Sequence, residues 1–397
     1  MITGLGVISS IGTGAPAFAD ALHHGRSGVS PITAFDTRGL EYTNACEVAD
    51  FDPEASASDT GPAARGRATQ LAVSSARMAV RDGGLSPATL RGQAVLVSVG
   101  TTNGEARELD GITERQVRNG TDAVDPAAAH RGRTSRLSSE IARDLELSRA
   151  EVMTVPTACA AGNYAIGYGF DAVAAGDVDV AICGGVDALV RSTFLSFYRL
   201  GTIAPERCQP FDRNRQGILT GEGSGMLVLE SYDSALARGA RIYAEVLGYG
   251  LSCDASHPVA PERDSVAACM SRAHANAGVA AGDIDLISAH GTGTRANDLT
   301  EVAAIRRVFD DAPPPTISVK SMLGHTMGAA SALAAIASVM ALTEGFIPPT
   351  VGFEEPDPEV EIDCVPNEAR TADLRIVQNN AMAFGGNNAV LILGARP

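Results

Sequence analysis

One cysteine and two histidines stand out in this 397-residue chain for the company they keep. Cys159 follows a short β-type run, residues 152–155, which Pro156 breaks. A segment of small and apolar residues comes next, closed by Gly176. A cysteine on the first turn of such a helix faces unpaired backbone N–H groups and the positive end of the helix dipole. Both favour the thiolate, the nucleophilic form. The commoner fate of a cysteine is burial as an inert small hydrophobe. Against that stand two later motifs, Ala289-His290-Gly291-Thr292-Gly293-Thr294 and Lys320-Ser321-Met322-Leu323-Gly324-His325. Their glycines let a backbone approach a ligand closely. A lone histidine is usually a satisfied structural residue, but two beside glycine are harder to assign that way. A metal site needs a third ligand or an HExxH-like spacing, and neither is evident.

The elements that must position these residues alternate strand with helix, which predicts an α/β layered fold. Cys159, His290, His325 and Phe384-Gly385-Gly386 each follow a predicted strand. In open α/β sheets, sites gather at the C-terminal ends of strands, so these four loops are expected to converge. A strand, a loop with Cys159 and a buried helix come once; a strand, a loop with His325 and a buried helix come again. Two fused copies of one unit are therefore expected, divided as 1–245, with the nucleophile, and 246–397, with both histidines. The first strand starts almost at Met1 and has little room to pair fully. Residues 31–66 read as surface loops, 106–150 as polar, Arg-rich helix interrupted near Pro126, and 191–210 as an irregular connection. The glycine cluster at 221–225 lacks the lysine of a phosphate loop and leads into a strand.

Composition bounds the rest. The chain is 45% hydrophobic and 20% charged, which is globular. A net charge of −16 argues against nucleic acid as the main partner. Seven scattered cysteines without a CxxC pair fit a reducing cytoplasm better than a disulfide framework. No basic segment precedes an apolar one, so no signal peptide is expected. The apolar run 329–342 is too short to span a bilayer and reads as a core helix.

At this point the sequence resembles a family. TACAAG around Cys159, HGTGTRANDLTE from His290, KSMLGHTMGAA from Lys320 and AFGGNN around Phe384 are similar to the signatures of β-ketoacyl-acyl-carrier-protein synthases of the elongating, Cys-His-His class. ITGLGVIS and PFDRNRQGILTGEGSGMLVLE fit too, so the resemblance covers nearly the whole chain. It implies the thiolase fold, two similar α/β halves in a five-layered α-β-α-β-α arrangement. It implies decarboxylative Claisen condensation of a malonyl thioester with a cysteine-bound acyl chain.

The resemblance also implies roles. Cys159 carries the acyl chain as a thioester, with His290 and His325 near it. Lys320 and Glu301 support the histidines. Thr292, Thr294 and Gly385 help bind substrate, Thr292 and Thr294 by holding a pantetheine arm. Phe384 gates the pocket, and the N–H groups of Cys159 and Phe384 form an oxyanion hole. Priming classes usually carry Asn at the place of His325. No resident cofactor is implied, because phosphopantetheine arrives on the acyl carrier protein. The implied partners are that carrier and a second subunit, identical or a non-catalytic chain-length factor. A membrane or nucleic acid is not among them.

Fatty-acid and polyketide elongation stay open, since residues 160–164 depart from the family pattern, and they and residues 101–105 are expected to face the acyl pocket. Arg65 and Arg67, Arg131 and Arg133, and Arg213 and Arg215 are candidates for a basic carrier-landing patch. Competing readings are a degradative thiolase, disfavoured because Cys364 lacks a glycine-rich context, and a non-catalytic subunit, disfavoured by the intact Cys159.

Overall fold

The computed structural model describes residues 1–49, 51–52, 65–310 and 312–397. Ten strands carry the architecture: β1 (Ile2–Ser9), β2 (Val95–Gly100), β3 (Ala150–Val155), β4 (Val180–Asp187), β5 (Gly223–Glu230), β6 (Ala244–Cys253), β7 (Leu286–Ser288), β8 (Thr316–Ile317), β9 (Ile376–Met382) and β10 (Asn387–Ala395). The first five pair in the order β3-β2-β4-β5-β1 and the last five in the order β8-β7-β9-β10-β6. The connectivity is thus repeated strand for strand. In each half the two outermost pairings are parallel and the other two antiparallel. A single bridge, Ile2 to Ala244, joins β1 to β6 and so the two halves.

The helices needed here are α1 (Arg67–Asp82), α2 (Ala106–Asn119), α3 (Ala161–Ala174), α4 (Arg191–Arg199), α5 (Arg263–Ala277), α6 (Arg295–Phe309), α7 (Lys320–Leu323) and α8 (Ala330–Glu344). Both α3 and α8 touch strands of both halves, whereas α1 packs on the N-terminal strands and α5 on the C-terminal ones. The layers are therefore helix, sheet, central helices, sheet, helix. An α/β fold of the thiolase type is what the residues build.

Composition explains why α3 and α8 occupy the middle. All residues of α8 from Ala330 to Ala341 are buried, and most are Ala, Ser, Leu, Ile or Val. A helix without a polar face must be covered on every side. The stretch Met327–Glu344 has the length and apolarity to cross a membrane, yet 83% of it is buried inside the protein. Small residues let the central helices approach. A Cβ on Gly162 of α3 would lie 2.7 Å from the backbone N of Ala332 in α8.

Three local expectations are corrected. The first strand is paired along its length: β1 runs antiparallel to β5 from Ile2–Leu229 to Ser9–Gly223 with one irregularity at Thr3, and every residue in it is buried. Residues 191–199 form helix α4 instead of irregular chain. Of the expected surface loops 31–66, residues 50 and 53–64 lie outside the described residues, but Ile32, Ala45, Cys46 and Val48 are buried. The expected division at 245/246 falls inside β6, which starts at Ala244.

Candidate active site

Two loops repeat each other in backbone detail. After β3 the chain reaches Ala158 with φ +51°, makes a 3₁₀ turn over Ala158–Ala160 and enters α3. After β8 and α7 it reaches Met327, again with φ +51°, makes a 3₁₀ turn over Met327–Ala329 and enters α8. A positive φ costs a residue with a side chain, so two such positions at equivalent places mark a retained geometry. Cys159 is the second residue of the first turn. Gly328 is the second residue of the other, and His325 stands two residues before Met327.

The repeat brings the reactive groups together. Cys159, His290 and His325 line one cleft, with Thr292, Thr294 and Phe384. The His290 and His325 rings are 5.5 Å apart between centroids and nearly perpendicular, at 82°. His325 Nδ1 accepts the backbone N–H of Met327 at 3.1 Å. That leaves Nε2 to carry the ring proton. Lys320 Nζ lies 3.4 Å from His290 Nδ1 and donates to the His290 carbonyl at 2.5 Å. An ammonium beside Nδ1 calls for a lone pair there, so His290 is also an Nε2–H donor. Burial, and next the Lys320 charge, hold both imidazoles well below the usual histidine range. Both are neutral near pH 7.

Helix α6 supports the His290 loop from beneath. Glu301 accepts the N–H groups of His290 and Gly291, each at 2.8 Å. Asp298, one helical turn earlier, accepts those of Thr292 at 3.1 Å and Gly293 at 3.3 Å. Two carboxylates three residues apart on one helix face thereby fix four consecutive amides. Gly291 and Gly293, with φ +38° and +73°, permit the tight path. Thr294 caps α6, accepting from Asn297 N, and its hydroxyl is 2.8 Å from that of Thr292. Lys320 is buried. Its ammonium is penalised by burial and supported first by Glu301.

Phe384 is 40% exposed at the cleft edge, its ring 5.4 Å from that of Phe197 on α4. Gly385 does not line the cleft: its N–H donates to Pro258 O at 2.8 Å, and Gly386 lines the wall instead. Among the lining residues, Phe197 and Leu200 carry no signal in the sequence, because 191–210 read as irregular, and His257 stands outside any motif. Asp298 was legible in principle, three residues ahead of Glu301 in NDLTE.

The expectation of a resting thiolate is corrected. Burial pushes the Cys159 thiol up to about 12, against the Lys320 charge and the backbone N–H groups of Cys159 and Phe384, which favour charge on sulfur. The helix end is present, but the sulfur sits out of water, and desolvation outweighs it. The arginine patch is corrected too. Arg65 is buried against Glu140 (3.1 Å) and Asp144 (2.9 Å), and Arg215 against Asp357 (2.6 Å). Arg67 pairs with Glu222, Arg131 with Glu108 and Arg213 with Glu355. Of the six, only Arg133 is exposed with no ion pair among the described residues.

Cleft, fold and repeated loops together define a ketosynthase. The β-ketoacyl synthase N-terminal domain matches residues 1–235 and the C-terminal domain residues 243–354, so the chain belongs to the β-ketoacyl synthase family. It is an acyl-transferring condensing enzyme of chain elongation. Nodulation protein E of Rhizobium sp. (strain N33) is 39% identical over 98% of this chain and 98% of its own. The ishigamide ketosynthase/chain length factor structure is 55% identical with a TM-score of 0.99, covering 100% of this chain and 98% of that one. A type II polyketide synthase acyl-carrier protein in complex with its ketosynthase, AntDE:AntF, is 28% identical with a TM-score of 0.92, covering 100% and 98%.

Proposed function

We propose that this chain is the catalytic ketosynthase subunit of a carrier-dependent polyketide synthase, acting in the cytoplasm. The observation that carries the reading is the pair of neutral Nε2–H imidazoles lining the same cleft as Cys159. An acyl chain first moves from its carrier to the Cys159 sulfur, which loses its proton as the thioester forms. A malonyl thioester then enters past Thr292 and Thr294, whose hydroxyls would hold its pantetheine arm. Its carboxylate leaves as CO₂, and the electron pair of that C–C bond becomes an enolate. His290 and His325 donate hydrogen bonds to the thioester oxygen as charge develops there. The enolate carbon attacks the acyl carbonyl, a C–C bond forms, and the C–S bond to Cys159 breaks. The N–H groups of Cys159 and Phe384 hold the intermediate oxyanion. Sulfur leaves as thiolate and takes up a proton. Lys320 and Glu301 act on His290, and Phe384 gates the cleft.

The carrier partner and a chain-length-factor partner are inferred from the two solved relatives. Strand β3 offers such a partner a place: it is a sheet edge, and its Val152 is 44% exposed. This chain would be the active member of a heterodimer, since it keeps Cys159; a homodimer is the other outcome. The two halves would join just before β6, between the two family domains, close to the expected 1–245 and 246–397. Intact-mass analysis with acyl- and malonyl-carriers tests the reading. An acyl adduct on Cys159 and CO₂ release from the malonyl carrier are expected. Acyl transfer with no CO₂ release would return the chain to the thiolase reading.

A further inference from the structure

A buried file of polar side chains leads from α5 to the back of the His290 loop, and nothing in the cleft chemistry described above requires it. Its inner end is Glu301, whose carboxylate accepts from Asn380 Nδ2 at 3.1 Å. Asn380 Oδ1 accepts from Gln378 Nε2 at 2.8 Å. Gln378 Oε1 faces His274 Nε2 at 2.6 Å. Gln378 and Asn380 are two apart on β9 and so share one face of the strand. His274 lies in the last turn of α5, 6% exposed, with its ring edge-on to Phe309 at 5.5 Å. Cys269, Met270 and Ala273 of the same helix are buried in one apolar cluster with Phe309. An apolar pair would fill this place without the cost of desolvating a histidine and an amide.

The chemistry of the file fixes its direction. A carboxylate only accepts, so Asn380 must turn its NH₂ to Glu301. Its oxygen then needs a donor, which is the NH₂ of Gln378. The oxygen of Gln378 needs a donor in turn, which is the Nε2–H of His274. Remove the first donor and Gln378 is free to reverse. It would then present oxygen to oxygen at Asn380, and a reversed Asn380 would do the same to Glu301. Glu301 is the carboxylate that holds the amides of His290 and Gly291 and most supports the Lys320 charge.

We propose that His274 and Gln378 are positioning residues for decarboxylation, a one-way file of donors that locks Asn380 and through it the Glu301 carboxylate behind His290. The inference rests on the decarboxylating role of His290. Burial lowers the His274 pKa, keeping the ring in the neutral form the file requires.

The test separates the two half-reactions on the full chain. CO₂ release from malonyl carrier and acyl loading of Cys159 are measured for wild type, Gln378→Met, His274→Leu and His274→Gln. Gln378→Met keeps the shape and removes the donor. Its kcat for CO₂ release should fall about ten-fold, the weight of one net hydrogen bond, with KM and acyl loading unchanged. His274→Leu should fall less, and His274→Gln, which still donates, should recover. Two results overturn the proposal: CO₂ release within two-fold of wild type in folded Gln378→Met, or both half-reactions falling together in that variant. A wild-type chain that releases no CO₂ overturns the proposed function, and this inference with it.

Discussion

His325 Nδ1 accepts the backbone N–H of Met327, the residue whose positive φ opens the turn into α8. The tautomer of a catalytic-site ring is thereby set by the backbone geometry that also builds the second turn. His290 reaches the same tautomer by a different route, through the Lys320 ammonium. Two rings held neutral lead directly to a pH expectation. Their folded pKa values lie well below 6.5, and the neutral forms persist until pH falls through those values. At saturating substrate, the rate of CO₂ release should stay level from pH 8 to pH 6.5 and lose activity only well below. A half-loss at pH 6.5 would mean that at least one ring titrates as an ordinary histidine.

Cys159→Ala and His325→Ala should fail in opposite ways. The first removes acyl loading and condensation while CO₂ release continues, because both imidazoles remain. The second should lower CO₂ release by roughly 10²–10³ while acyl loading continues. Radiolabelled malonyl carrier and intact-mass analysis read the two events separately. Loss of both events in either variant, with the fold intact, would contradict this division of labour.

Gly328→Ala should be costly although the change is one methyl group. A Cβ there would lie 2.5 Å from Thr101 Cα and 2.6 Å from Thr102 N, backbone atoms that cannot swing away. The Gly328 N–H also donates to Asp187 at 2.6 Å. A loss of about 3 kcal/mol in unfolding free energy is expected. Gly282→Ala is the control: its Cβ would meet nothing within 4 Å, and urea midpoints should match wild type.

Glu105→Gln should stabilise the protein at alkaline pH. Glu105 is buried; Oε1 accepts from Thr69 N at 2.6 Å and from Thr69 Oγ1 at 2.5 Å, while Oε2 has no partner. Burial pushes its carboxyl up from 4.5 to about 7. The unfolded chain therefore ionises first as pH rises, and stability is lost between pH 4.5 and pH 7. Gln carries no such loss. The variant's advantage over wild type should grow by about 2 kcal/mol from pH 5 to pH 8, measured by urea unfolding. An advantage independent of pH would show that Glu105 ionises at the same pH in the folded and the unfolded chain.

The parts of the site legible in the sequence are those written in short range. Cys159 behind a broken strand, two histidines beside glycine and the buried run at 329–342 each carry their signal within a dozen residues. What escaped depends on distant partners. Arg65 looks like a surface charge until Glu140 closes on it from 75 residues away. Strand β1 looks too short until β5, more than 200 residues on, pairs with it from Ile2 to Ser9. The Cys159 thiol looked primed because a helix end can be read locally, whereas the desolvation that dominates it comes from the assembled cleft. The His274–Gln378 contact spans 104 residues and belongs to no motif.

The doubled connectivity has an ancestral implication. A half paired with an identical copy carries the same group at equivalent positions of its two loops. Joining the copies in one polypeptide frees each to diverge. One loop carries a thiol where its twin carries glycine, and a histidine stands three residues before that glycine. On the proposed mechanism neither half suffices alone, because Cys159 lies in one and His290 and His325 in the other.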